Sequence, residues 1–191
     1  KGLSGTNHFK EHTGTQIIVQ TESTFTDASS KITDGQGNGV FAKENSTVTL
    51  NNTILKEHKL PQIWIQDSKL EGINCEILDG QESGIMLRSN SMADLSHCII
   101  SNHLITNIQV TMESRLNLIH STIKLSEGIG LQLRDKSIAN FEKTIFEKNK
   151  FSQLSLTEGS IASLKECSIM DGGQLGVYVE NKGNCTIVAC K

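Results

Sequence analysis

The sequence predicts an all-β solenoid: a coil of parallel strands, about eight turns of 23 residues, with three short strands in every turn. Three observations carry that prediction. First, the chain repeats. "FKEH" at Phe9–His12 and "LKEH" at Leu55–His58 start 46 residues apart, and reading at half that spacing puts like residues in like columns. Blocks opening at Gln16, Gly39, Gln62, Gly84, Asn107, Gly130, Gln153 and Gly176 begin QIIVQ, GVFAK, QIWIQ, GIMLR, NIQVT, GLQLR, QLSLT and GVYVE, with a single spacing of 22 between Gln62 and Gly84. Second, a serine follows at the same place in successive blocks, at Ser23, Ser46, Ser68, Ser91, Ser114, Ser137 and Ser160, until Gly183 closes the column. Third, apolar residues alternate with period two, the spacing of a strand rather than a helix. A period of this length marks a solenoid, in which each turn buries its apolar face only against its neighbours.

The first strand of each block is the clearest. In Gly84–Arg88, Ile85 and Leu87 share one face while Met86 and Arg88 share the other. Ile17, Val40, Ile63, Ile85, Ile108, Leu131, Leu154 and Val177 therefore form one inward ladder, and Val19, Ala42, Ile65, Leu87, Val110, Leu133, Leu156 and Val179 a second. Short stretches such as Ala93-Asp94-Leu95 supply the second strand. Ile32, Leu55, Ile77, Ile100, Ile123, Phe146 and Ile169 continue the core in the third. Two residues before these runs a column of small residues: Ser30, Thr53, Cys75, Cys98, Ser121, Thr144, Cys167 and Cys190. Cysteine alternates there with Ser and Thr, so it reads as a small core residue and not as a metal ligand or disulfide framework; no C-x-x-C pair occurs. Because the second and third strands carry inward ladders of their own, a leucine-rich repeat does not fit.

With 18 Lys+Arg against 21 Asp+Glu, the chain carries no basic surface of the kind nucleic acid requires. It contains no apolar run long enough to cross a membrane and no secretory signal. Residues 1–191 read as a single domain, and the mid-block ends lead us to expect an excerpt of a longer chain. An odd count of buried thiols fits a reducing, cytoplasmic compartment.

The pattern GIxLxxxSxAxLxxCxI at Gly84–Ile100, echoed by GLQLRDKSIANFEKTIF at Gly130–Phe146, resembles the right-handed parallel β-helix repeats of the pectin-lyase-like superfamily. The resemblance covers essentially the whole chain and implies a right-handed coil. It implies no one activity, because that superfamily joins polysaccharide lyases and hydrolases to tailspikes and to non-catalytic modules of intracellular proteins. Trp64-Ile65-Gln66-Asp67 is similar to the Trp-Ile-Asp-His signature of pectate lyases, but Gln66 stands in the place of the acid and Asp67 in that of the histidine. The Asn-Thr-Asp, Asp-Asp, Gly-His-Gly and Arg-Ile-Lys motifs of polygalacturonase-like hydrolases do not occur. No catalytic residue, metal site or cofactor is therefore expected.

Binding residues are expected on the outward columns of the first strand. One runs Ile18, Phe41, Trp64, Met86, Gln109, Gln132, Ser155, Tyr178, and the other Gln20, Lys43, Gln66, Arg88, Thr111, Arg134, Thr157, Glu180. The candidate cluster is Phe41, Trp64, Met86 and Arg88, extended by Gln109, Gln132, Arg134 and Tyr178. Glu44 over Asp67 and Asp135 over Glu158 read as solvated charges at the strand-to-turn edge, outside the groove. His12, His58 and His103 share a turn column on alternate blocks, too far apart for one zinc, and read as polar turn residues. Asp34-Gly35, Asp79-Gly80 and Asp171-Gly172 read as tight turns with the glycine at positive φ. The expected role is a non-catalytic recognition surface of a larger intracellular protein, binding a protein partner or flanking domains of its own chain. The alternative is a carbohydrate-binding or polysaccharide-degrading β-helix.

Overall fold

In the computed structural model, which describes residues 7–191, the strands coil as the columns require. Three parallel sheets of eight strands each form the walls. The first runs from Ile17–Val19 to Val177–Val179, the second from Thr24–Ala28 to Asn184–Val188, and the third from His8–Lys10 to Ser168–Met170. Every strand pairs with its copy one turn away, so that Trp64 faces Phe41 on one side and Met86 on the other. Among the described residues there is no helix.

In-register pairing sets like side chains on top of one another, and the core is the sum of those stacks. Both inward ladders of the first strand are buried from Ile17 to Leu156, as are Ile32 through Phe146 in the third. The second strand adds Val48 and Leu50, Leu70, Ala93 and Leu95, Leu116 and Leu118, Ala139 and Phe141, and Ala162 and Leu164. Phe141 meets Phe146 edge to face, with ring centroids 5.2 Å apart. One inward position breaks the pattern. Asp27 occupies the column of Leu50 and is buried, its carboxylate accepting hydrogen bonds from the hydroxyls of Ser30 and Thr53, the latter at 2.6 Å. Those partners stabilise a charge that would be costly alone. Aligning the second-strand columns would have flagged it.

The serine column closes the first corner. The backbone N–H of Ser23, Ser46, Ser68 and Ser91 each donates to the hydroxyl of the serine one turn on, at 3.0–3.4 Å. Hydroxyls of Ser91 and Ser160 donate in turn to the carbonyls of Ile65 and Leu133, each at 3.1 Å. A small hydroxyl thus satisfies backbone groups that the bend removes from the sheet ladder. The small column before the third strand works likewise: Cys75, Cys98, Ser121, Thr144 and Cys167 donate to the carbonyl two residues earlier. All five cysteines are free thiols, and the Cys75–Cys98 contact together with burial pushes the Cys98 thiol up.

Two expectations for the turns need correction. The positive φ of the Asp-Gly pairs belongs to the aspartate, at 57° in Asp34, 56° in Asp79 and 51° in Asp171. The glycines serve a different purpose. A Cβ on Gly35 would lie 2.6 Å from the His58 ring, and one on Gly39 would lie 2.9 Å from it; Gly80 and Gly84 meet His103 at 2.5 and 2.7 Å. His58 and His103 are accordingly not polar surface residues but are fully buried, whereas His12 is exposed. The turns pack large on small: His58 with Gln62, His103 with Asn107 and Asn149 with Gln153 alternate with Gly35 and Gly39, Gly80 and Gly84, and Ser126 and Gly130. The structural period at this corner is two turns, in phase with the 46-residue spacing of the two Lys-Glu-His segments.

The buried polar groups pair. Asn107 donates to Asn149 Oδ1 at 3.0 Å and Asn149 to Gln153 Oε1 at 2.6 Å. His58 Nδ1 contacts Gln62 Oε1, and its Nε2 lies 3.2 Å from Gln16 Oε1. His103 Nδ1 lies 2.7 Å from Asn107 Oδ1, but its Nε2 is buried with no partner. Burial lowers both imidazoles, His103 to about 4. A second proton on His58 would meet the Gln16 oxygen; on His103 it would meet nothing.

Two predictions follow from this corner. Gly84→Ala should destabilise the fold by about 1–3 kcal/mol through overpacking against the Asn107 carbonyl and the His103 ring, while Gly14→Ala, with open space around the added methyl, should be near neutral in the same urea titration. The unfolded His103 titrates near its ordinary value and the folded one near 4, so the unfolded state binds the extra proton between those values. Stability should be full above pH ~6.5 and fall towards pH 4 by on the order of 3 kcal/mol. His103→Asn, the residue this column carries at Asn149, should flatten that slope; an unchanged slope would exclude His103 as its source.

Candidate binding face on the first sheet

The outer face of the first sheet is flat and backed by a rigid core, so its side chains are placed by strand register alone. Phe41 and Trp64, on adjacent turns, stand with ring centroids 5.0 Å apart and planes inclined by 38°. Both are half-buried, and Ile18 beside Phe41 is 57% exposed. The Trp64 indole N–H is withdrawn from water without an acceptor among the described residues. Met86 follows in register, then Gln109 and Gln132, whose amides hydrogen-bond at 3.2 Å.

Beyond Met86 the face dips into an open depression lined by Met86, Arg88, Gln109, Thr111, Met112, Arg134 and Asp135. It continues over the corner past Ser89, Asn90, Glu113, Lys136 and Glu158. Arg88 Nη2 lies 3.9 Å from the Met112 sulfur, and among the described residues no carboxylate lies within ion-pair distance of it. Arg134 Nε is 3.6 Å from Glu158, and Lys43 Nζ is 2.7 Å from Glu44, whose carboxyl that contact holds below its usual range.

Seven of the eight residues expected from sequence are thus brought into one continuous strip: Phe41, Trp64, Met86, Arg88, Gln109, Gln132 and Arg134. Tyr178 is set apart. Ser155 stands between it and Gln132, and the Tyr178 hydroxyl donates to Glu180 at 2.6 Å. Ser155, placed by its column on the outward face, is itself buried. Met112 and Asp135 were missed, because their columns read as solvated corner. Asp135 is half-buried and lines the same depression as Arg88, so it does not lie wholly outside the groove. Glu44, Asp67 and Glu158 are exposed as expected.

That corner bends through consecutive residues at positive φ: Glu44 and Asn45, Ser89 and Asn90, Met112 and Glu113, Asp135 and Lys136. In the 22-residue block Asp67 alone fills the bend, so the missing residue is one of this pair.

A family model described as a right-handed beta helix region matches residues 15–124 and 106–191. The chain belongs to this family. The coil is therefore a right-handed parallel β-helix. Among solved structures the chain is similar to a mutant of the periplasmic alginate epimerase AlgG, with a TM-score of 0.82 at 11% identity over 91% of this chain and 47% of that one. It is also similar to the pectate lyase Pel9A, with a TM-score of 0.55 at 8% identity over 98% of this chain and 71% of that one. The chain spans about half the length of the epimerase, 47%. At these identities the likeness is one of fold. No curated protein matches the sequence significantly.

Proposed function

We propose that the first-sheet face binds an extended polysaccharide, and that on its own this strip binds without turning the glycan over. The observation that carries the reading is the strip itself: an aromatic pair, a methionine, two amides and two guanidiniums in line along the coil axis. Sugar rings present apolar C–H faces to aromatic side chains and hydroxyls to amides and guanidiniums, so each part of the strip has a complement. A rigid sheet presents these groups already ordered, which lowers the entropic cost of binding a long ligand. The fold neighbours, an alginate epimerase and a pectate lyase, are named for action on polysaccharides, which supports the class of ligand. Binding through Phe41, Trp64 and Ile18 to a protein partner is the competing reading, favoured by the exposure of Ile18.

The test is a titration of Trp64 fluorescence with alginate, pectate and a neutral glucan, with the formation of reducing ends, unsaturated products and epimerised residues followed in parallel. Saturable quenching without product is expected, with Trp64→Ala weakening binding about tenfold or more, ~1.4 kcal/mol. Silence across all three, and with an acidic–neutral copolymer such as hyaluronan as well, would overturn the glycan reading in favour of the protein surface. Product formation would overturn the non-catalytic part, and Asp135→Asn is then the variant that should abolish it.

A further inference from the structure

The second outward column of this face alternates in charge. It runs Gln20, Lys43, Gln66, Arg88, Thr111, Arg134, Thr157. A cation stands on every second turn and an uncharged hydrogen-bonding group on each turn between. The alternation is in phase with the interior: every turn that opens with glycine and carries a cation (Gly39 with Lys43, Gly84 with Arg88, Gly130 with Arg134) lies between turns that open with an amide, buried at Gln62, Asn107 and Gln153 and half-buried at Gln16. Register hydrogen bonds such as Thr111 N to Leu87 O and Arg134 N to Val110 O hold the column straight. Successive cations are therefore two strand spacings apart, about 9.6 Å, close to one disaccharide step of an extended glycan.

We propose that the ligand of this face is an acidic polysaccharide carrying its charge on alternate sugars, an acidic–neutral copolymer, with Lys43, Arg88 and Arg134 each taking one carboxylate. The proposal rests on the glycan reading above. Three features beyond spacing support it. Arg88, the central cation, has no carboxylate partner among the described residues, and the exposed pairs of Lys43 with Glu44 and Arg134 with Glu158 are of the weak kind that a ligand can exchange. The neutral turns within the track hold Gln66 between Lys43 and Arg88 and Thr111 between Arg88 and Arg134, neither of them charged. A polymer charged on every sugar would add a carboxylate on each of those turns, where the column offers no cation to compensate it. Finally, the next turn in cationic phase holds Glu180, so the track ends after three cations and spans five turns, roughly 19 Å.

The experiment compares hyaluronan hexasaccharide, oligogalacturonate of the same length and cellohexaose by calorimetry at two salt concentrations, on the wild type, Arg88→Gln and Gln66→Lys. The wild type should bind hyaluronan hexasaccharide severalfold tighter than oligogalacturonate and lose that affinity with salt. Arg88→Gln should weaken hyaluronan binding about tenfold. Gln66→Lys, which places cations on three successive turns, should shift preference towards oligogalacturonate. Tighter wild-type binding of oligogalacturonate, or equal binding of cellohexaose, would sink the alternate-charge proposal while leaving glycan binding intact. Binding of none of the three would remove the glycan reading itself and the proposal with it.

Discussion

In-register stacking is the constraint from which the rest of this molecule follows. Once each strand hydrogen-bonds to its copy one turn on, every side chain lies over the residue 22 or 23 positions away, and the chain loses the freedom to choose neighbours residue by residue. An inward column must be apolar along its whole length or satisfy its exceptions locally, as Asp27 does with Ser30 and Thr53. A corner must present the same small hydroxyl or thiol in turn after turn to close the backbone groups that the bend exposes. The repeat in the sequence is that requirement written out.

Columns that stack identical chemistry were therefore legible. The aliphatic ladders, the serine column and the cysteine column could all be assigned because each residue's role equals that of its neighbour above and below. What escaped was chemistry that depends on a difference between adjacent turns. His58 is buried because Gly35 and Gly39 leave room for it in the turn before; Gly35, His58, Gly80 and His103 alternate within one column, but their residue types alone do not say that the column faces inward. Histidine in a polar turn segment is ordinarily exposed, so His58 read as surface. Met112 and Asp135 escaped for a related reason. Their left-handed backbone carries the corner round to the groove, and sequence periodicity describes strands far better than bends.

The same backbone preference explains why so few glycines occupy the bends. Positive φ recurs at all three corners of almost every turn, yet Gly159 is the one glycine among the described residues that adopts it. Asn, Asp and Ser tolerate the left-handed region comparatively well, but Glu57, Leu125, Lys143 and Met112 also adopt it. Each such residue costs local energy that the stacked sheets on either side must offset. Glycine stands instead where a histidine or amide of the adjacent turn, as at Gly35, Gly80 and Gly172, or its backbone, as at Gly37, Gly128 and Gly173, would meet an added side chain.

The two-turn period then joins interior to surface. A turn that carries a buried His–Gln, His–Asn or Asn–Gln pair inside carries a neutral residue on the outer column, and a turn hollowed by glycine carries the cation. Position on the outer column is fixed by the register of the whole sheet and not by the corner, so packing alone does not require this correlation: Gln66 is exposed, and nothing in its surroundings forbids a lysine. The interior alternation has a steric cause in the glycine contacts. The exterior one has none in the fold. A pattern that folding does not demand, repeated three times with the spacing of two strands and reversed in sign at Glu180, is the ground on which the proposed alternate-charge ligand rests.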